Sequence, residues 1–457
     1  MATRRLHPDP RGVLELTLAA VLAVALAAAL AGSLTDATSR SSSHGSAESA
    51  DEEEEELEGD APTSRHQPTD VIEIAFPRES YAPGARAALR FWSPARRVTV
   101  QVFRVGAERA RTIGNETMQG VPVTTPRRAA SVRSGTRLAI PVGNWRSGLY
   151  FARATAAGGR VGFAPFVVRP RRLGQSRVAV VLPTRTWQAY NFRDDDGDGR
   201  GDTWYANRRH TTVQLGRPYL RGGVPPYFRL YDLSFLHWLH ETGRSVDILS
   251  QAELEGTTGG RLAQAYDAIV FPGHHEYVTT REYDVVQRYR DLGGNLAFLS
   301  ANNFFWRIDL RNNVITRVAR WRDLGRPEAG LIGVQYRGND TGTHRAPWIV
   351  RSAETAPWLF AGTPLADGMP VGTAGIEIDQ TVDASPRDVT VIADVRDLFG
   401  AGFTAQMTYY ENDRGARVFA AGAFTLAGSA RRPQIRQLLA NLWTRLTAEE
   451  PAQVVAE

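Results

Sequence analysis

The sequence predicts an α/β domain preceded by an immunoglobulin-like β-sandwich, and two contrasts of pattern carry that expectation. Over residues 71–170 apolar residues alternate in short runs separated by Gly and Pro, as strands half buried between stacked sheets do. From residue 178 onward, short continuous apolar runs alternate with longer stretches of helical period, the order expected of a mostly parallel sheet with crossover helices. At 457 residues and 42% hydrophobic content the chain is long enough to bury both cores.

Taken in order, Arg4, Arg5 and Arg11 precede an Ala/Leu-rich run over 16–31. A basic start, a short apolar centre and a small-residue end at Ala29, Leu30 and Ala31 describe an export signal over 1–31, cleaved or retained as an anchor. The Arg4-Arg5 pair is a loose twin-arginine match. Residues 32–69, with an unbroken acidic run over 51–56, are too charged and too poor in large apolar residues to fold alone, and read as a disordered linker. The sandwich is expected over 70–170, the α/β domain over 176–448 and a short tail over 449–457.

Within the α/β domain the apolar run 178–184 reads as a strand, 231–243 as a helix and 246–249 as a second strand. The next unit is the most informative. Residues 268–271 form a buried strand that breaks at Pro272-Gly273 and presents His274, His275, Glu276 and Tyr277. Thr279 and Thr280 cap a helical pattern closed by Gly293-Gly294, and strand 296–299 ends in Asn302 and Asn303. A right-handed βαβ unit brings both polar clusters to one edge of the sheet, where open α/β sheets bind ligands. Strands at 389–395, 406–411 and 417–423 and a helix over 432–447 complete the domain.

Composition removes several chemistries. There is no cysteine, so thiolate nucleophiles, thiolate metal sites and disulfides are excluded. All 54 basic residues are arginine, which excludes Schiff-base and P-loop lysines. Residues 1–70 hold 5 arginines and 13 acids, leaving 49 arginines against 36 acids in the remainder. Those arginines lie singly or in pairs among acids, without a basic run or aromatic ladder, so no nucleic-acid partner is expected. Membrane contact is expected through the N-terminal segment alone.

Two constellations remain. Asp194, Asp196, Asp198 and Asp202, with Gly199 among them, place carboxylates at alternate positions round a glycine turn, as a Ca²⁺ loop does. The twelfth position is Tyr205 and not Glu, so the loop is no EF-hand, and the role expected of the ion is structural. The second constellation is Tyr190 in TWQAYN, Tyr231 in LYDLSFLHWL, His274 and Glu276 in GHHEY, and Asn302 in SANNFFWR. Each tyrosine alone would read as a core residue with a hydrogen-bonded hydroxyl.

These words, in this order over about 178–447, resemble the large-subunit catalytic domain of the N,N-dimethylformamidase family. That resemblance implies a sheet similar to class I glutamine amidotransferases, whose nucleophilic mechanism a chain without cysteine cannot run. It also implies a mononuclear Fe(III) with Tyr190 and Tyr231 as phenolate ligands and Glu276 as the carboxylate, with His274 and Asn302 beside it. Hard phenolate and carboxylate oxygens suit Fe(III). A further carboxylate is implied as proton shuttle: Glu411 in TYYEND matches best, with Glu377 in GIEID the competing residue. The expected function is exported hydrolysis of small amides, with a small partner subunit or an oligomer as the family allows. The rival reading is a non-catalytic extracellular binding module on a degenerate domain.

Overall fold

The computed structural model describes residues 70–447, apart from 109–111, 113, 207–209, 341 and 425. The export segment, the acidic linker and the tail fall outside the described residues. Among the described residues no helix is long and apolar enough to cross a membrane.

Nine short strands come first: β1 Ile74–Ala75, β2 Ser80–Tyr81, β3 Arg86–Phe91, β4 Ala95–Arg104, β5 Val121–Pro122, β6 Arg127–Val132, β7 Arg137–Pro141, β8 Gly148–Thr155 and β9 Val161–Val168. They form a three-stranded sheet, β1-β3-β7, and a six-stranded one, β2-β9-β8-β4-β5 with β6 on β4. The alternation in β3 turns Ala87, Leu89 and Phe91 inward. They meet Val98, Val100 and Val102 of β4 and Tyr150 and Phe166 of β8 and β9 in one core.

Fifteen strands follow: β10 Val178–Val181, β11 Thr212–Gln214, β12 Asp247–Leu249, β13 Ala268–Phe271, β14 Tyr277–Thr279, β15 Asn295–Phe298, β16 Trp306–Arg311, β17 Val314–Arg320, β18 Gln335–Asn339, β19 Arg345–Val350, β20 Pro370–Gln380, β21 Thr390–Val395, β22 Ala405–Glu411, β23 Arg417–Ala420 and β24 Ala423–Phe424. Eleven build the main sheet in the order β12-β10-β13-β15-β23-β22-β21-β19-β20-β18, with β24 on β20. The half from β12 to β23 is parallel. Every pairing beyond β23 is antiparallel, six against four parallel ones, so the sheet is mixed and not mostly parallel as its first half suggests. Short loops join β21 to β22 and β22 to β23, which admit hairpins and no crossover helix.

Six helices matter for the site: α1 Thr184–Ala189, α2 Ser234–Glu241, α3 Gln251–Glu255, α4 Gly259–Ala265, α5 Thr280–Asp291 and α6 Pro433–Thr447. Helix α5 starts as the sequence predicts. The Thr279 hydroxyl accepts from Glu282 N while the Glu282 carboxylate accepts from Thr279 N, a reciprocal cap. The expected helix over 231–243 begins differently, as a π turn at Arg229–Leu233 that runs into α2. π turns insert one residue into a helix and are concentrated at functional sites.

The two predicted domains share a core. Phe103, Leu149, Phe151 and Val167 of the β-sheets pack in one cluster with Val180, Trp187, Phe235 and Leu236. Burying side chains of this size stabilises by about 1.5–3 kcal/mol each. Arg185 of α1, fully buried, adds a polar link: its guanidinium meets Glu282 at 2.5 Å, Glu255 at 3.0 Å and Glu79, just before β2, at 3.5 Å.

Candidate metal centre

Three turns deliver the site. Helix α1 follows the carboxyl end of β10 and ends at Tyr190. The chain after β13 turns at Pro272-Gly273, where a Cβ on residue 273 would lie 2.5 Å from Asp232 Oδ1. Glycine therefore lets the turn of His274 and Glu276 close onto the π turn that carries Tyr231. The four-stranded sheet β11-β17-β16-β14 covers this edge, with β14 starting directly after Glu276.

Glu276, 3% exposed, is the centre. The Tyr190 hydroxyl donates to its Oε2 at 2.9 Å, and His274 Nε2 lies 3.8 Å from the same oxygen. The rings of Tyr190 and Tyr231 both stand edge-on to His274, with centroids at 5.2 and 6.3 Å. Asn302 is held in the left-handed region, φ 53°, and its N–H donates to Asp379 Oδ1 at 2.9 Å. Tyr227 (φ 58°), Phe304 (φ 58°) and Ile376 (φ 67°) share that conformation nearby. For a β-branched residue such as Ile376 this is a strained backbone, and strain of this kind collects at functional sites.

The structure thus brings Tyr190, Tyr231, His274, Glu276 and Asn302 to one edge of the sheet. Glu411 is not among them, which corrects the sequence expectation. Strand β22 runs antiparallel to β23, so Glu411 at its carboxyl end pairs with Arg417, where the parallel strands begin. There it accepts from Tyr409 at 2.5 Å and pairs with Arg445. Those contacts outweigh the cost of partial burial and hold its pKa below the usual value.

Glu377, the competing residue, lies on the correct edge. Strand β20 folds back so that Gly375 and Ile378 pair with β24, immediately beyond the carboxyl end of β23. Burial, repulsion from Glu276 and a nearby Asp379 push the Glu377 carboxyl well up, opposed by a hydrogen bond from Asn302. Burial likewise raises Glu276 to about 7, against hydrogen bonds from Tyr190, Tyr205 and Tyr277. The Tyr190 and Tyr231 phenols are held well above their usual value, first by burial and then by Glu276 and Tyr227 respectively. Burial, with His275 beside it, lowers His274 to about 3, so its imidazole is neutral.

Tyr205 was legible only as a loop position that fails to supply a calcium ligand. Its hydroxyl lies 2.9 and 3.1 Å from the Glu276 oxygens, and its ring stacks on Tyr190 at 4.4 Å. The residues before it are anchored too. Thr203 Oγ1 donates to Ala189 O at 2.5 Å, and Trp204 Nε1 to the Tyr277 hydroxyl at 2.9 Å. His275 instead turns inward, its ring against Phe271 and its Nδ1 3.1 Å from Gly273 O.

The donor set suits a hard cation. Glu276, Glu377 and Asp379 are buried together beside four phenols. Buried without a hydrogen-bond partner are His274 Nε2, Asn302 Oδ1 and Glu377 Oε2. Carboxylates that repel one another in a low-dielectric pocket require either protons or a positive ion. In the acidic loop, Asp194, Asp196 and Asp202 offer oxygens within 4.8 Å of one another. Asp198 stands outside that group and accepts from Arg200 N at 2.7 Å.

The chain matches the N,N-dimethylformamidase beta subunit-like, C-terminal family over residues 99–437. It is similar to the N,N-dimethylformamidase beta subunit of Paracoccus aminophilus, 23% identical over 336 residues that cover 59% of this chain and 44% of the relative. The beta subunit from an Alcaligenes species is 30% identical over 124 residues, 26% of this chain and 16% of that one. The matched region is thus less than half the length of either relative. Among solved structures, a superoxide reductase (neelaredoxin) from Ignicoccus hospitalis shares 10% identity over 22% of this chain and 80% of that one. Its TM-score of 0.15 is too low to bear on fold or function.

Proposed function

This chain belongs to the N,N-dimethylformamidase beta subunit-like family, and we propose that it hydrolyses small amides at carbon–nitrogen bonds other than peptide bonds. The observation that carries the reading is the Glu276 carboxylate, buried, hydrogen-bonded by Tyr190 and facing a second buried carboxyl at Glu377. Tyr190, Tyr231 and Glu276 would hold a mononuclear Fe(III). Bound there, the ion supplies Lewis acidity toward an amide oxygen or water.

The chain's own residues do the rest. Neutral His274, its Nε2 unpartnered, offers a hydrogen-bond donor or acceptor to substrate according to its tautomer. Asn302 Oδ1, also unpartnered, is placed to accept from a water molecule or from the N–H of a primary or secondary amide. Glu377, whose hold on a proton is strengthened by burial and by Glu276, is suited to move a proton between water and the leaving nitrogen.

The relatives are described as beta subunits, which supports assembly with a second subunit or into an oligomer. The N-terminal pattern supports export, and the Asp194, Asp196 and Asp202 cluster supports a structural calcium ion. We read the second part as amidotransferase-like on the motif resemblance alone, and the first as immunoglobulin-like on its nine short strands in two sheets.

The test is iron analysis with an absorption spectrum on purified protein. One iron per chain, with a visible tyrosinate charge-transfer band lost in both Tyr190→Phe and Tyr231→Phe, is expected. A protein that takes up no iron under aerobic or anaerobic loading would refute the reading.

A further inference from the structure

The arginine surplus of residues 71–457 is not absorbed by the site above, and part of it converges elsewhere. Where the β-sheets of the first part meet α3 and α4, a cleft of about 580 Å³ is lined by Arg78, Arg169, Arg171, Arg172 and Arg261. All five are exposed, and they come from three separate stretches of chain. The volume lies in the range of small-molecule sites, roughly 300–1,000 Å³.

Three glutamates line the same cleft, yet each is already engaged. Glu79 accepts from Thr184 and Arg185, and Glu255 from Arg185 and Thr279. Glu253 accepts from Ser250 at 2.8 Å and Ser80 at 2.5 Å, with Arg169 at 3.8 Å. With Arg185 counted, six arginines face three glutamates in the lining, so positive charge stays in excess. Arg171 reaches the neutral Asn144 at 2.7 Å.

A second observation is independent of surface charge. Two buried polar groups that line the cleft have no hydrogen-bond partner: Thr257 Oγ1, in a residue 4% exposed, and Nη2 of the fully buried Arg185. A buried hydroxyl or guanidinium N–H left unpaired is unfavourable. A cleft with donors in excess calls for a ligand that accepts. Guanidinium forks match the paired oxygens of phosphate, sulfate and carboxylate. Because three glutamates surround Arg185, the ligand's charge belongs at the rim and its hydrogen-bond acceptor near Thr257.

We infer that this cleft binds an oligoanionic small molecule, one carrying two or more phosphate, sulfate or carboxylate groups. The inference is independent of the iron reading, since none of these residues belongs to the metal centre.

The test is isothermal titration calorimetry on the whole protein at low ionic strength with three probes: inorganic pyrophosphate, benzene-1,3-disulfonate and tricarballylate. Saturable binding of at least one probe is expected, weakening as salt rises. The strongest probe identifies the group. The double variant Arg171→Gln/Arg172→Gln, and separately Arg261→Gln on the opposite wall, should weaken it at least about tenfold and Thr257→Val about threefold. Arg414→Gln, an exposed arginine outside the cleft, and Glu276→Gln, in the metal centre, should stay within about twofold. No saturable binding with any probe would overturn the inference. So would binding that survives the arginine variants, or that is lost in Glu276→Gln and thereby assigned to the metal centre.

Discussion

Tyr205→Phe separates a ligand from a residue that steadies one. Its hydroxyl holds Glu276 and its ring covers Tyr190, so the phenylalanine variant keeps the stack and loses the hydrogen bond. Groups that orient metal ligands are worth about 10–100-fold in metal affinity. Tyr205→Phe is therefore expected to bind iron about tenfold more weakly with the charge-transfer band retained. Tyr190→Phe should lose the band itself. The two late glutamates give a second comparison. Glu377→Gln should lower turnover by about 10²-fold or more, as loss of a proton-transfer group does. Glu411→Gln should leave turnover within about twofold, because its partners are Tyr409 and Arg445 at the far edge. Sequence could place Tyr190, His274, Glu276 and Asn302 because each follows a recognisable strand or helix closely. It favoured Glu411 over Glu377, and the structure puts Glu377 on the edge of the site. Both sit in strand patterns, and only the antiparallel pairing of β22 and the return of β20 decide which edge each reaches. Tyr205 carried no local signal, since a loop's side-chain direction is set by its tertiary anchors.

At the scale of elements, the cap of α5 does two tasks. The Thr279 hydroxyl accepts from Glu282 N and also donates to Glu255. Thr279→Ala is expected to cost about 1–2 kcal/mol in chemical denaturation, at the upper end for a lost cap, with iron content unchanged. The helix boundary here was readable because a capping box is a local pattern. The π turn before α2 was not, because an inserted residue leaves the apolar period almost intact while rotating Tyr231 toward Glu377. The four-stranded sheet over the site escaped for a related reason. Its strands are short and half buried, with little alternation to detect.

For the whole molecule, the shared core and the Arg185 cluster predict one unfolding transition for residues 70–447. Arg185→Met would leave the buried Glu282 without its cation, with the partly exposed Glu79 and Glu255 beside it; removing one partner of a buried ion pair typically costs about 3–5 kcal/mol. It should lower the midpoint of the entire transition and not that of one part. Stability should also depend on pH in a way that reports the metal. Burial raises Glu276, Asp232, Asp379 and Glu282 to about 7. The metal-free folded state therefore binds more protons than the unfolded one between the ordinary carboxylate range and about 7, and their contribution falls as pH rises through that window. His274 and His275, lowered to about 3 by burial, act oppositely below about 6.5. The carboxyls outnumber them, so thermal denaturation of metal-free protein should show a lower midpoint at pH 7.5 than at pH 5.5. Iron should raise the midpoint more at pH 7.5, where Glu276 has already shed its proton.

The return of β20 to β24 also fixes when the site can exist during synthesis. Tyr190, Tyr231, Glu276 and Asn302 leave the ribosome long before Glu377, and Glu377, although it can pair with Asn339 of β18, is not held beside the end of β23 until Ala423 and Phe424 have emerged. A nascent polypeptide halted before residue 370 would own every proposed iron ligand yet lack the wall that encloses them. Loading of the proposed iron would thereby wait until the chain has been made through residue 424.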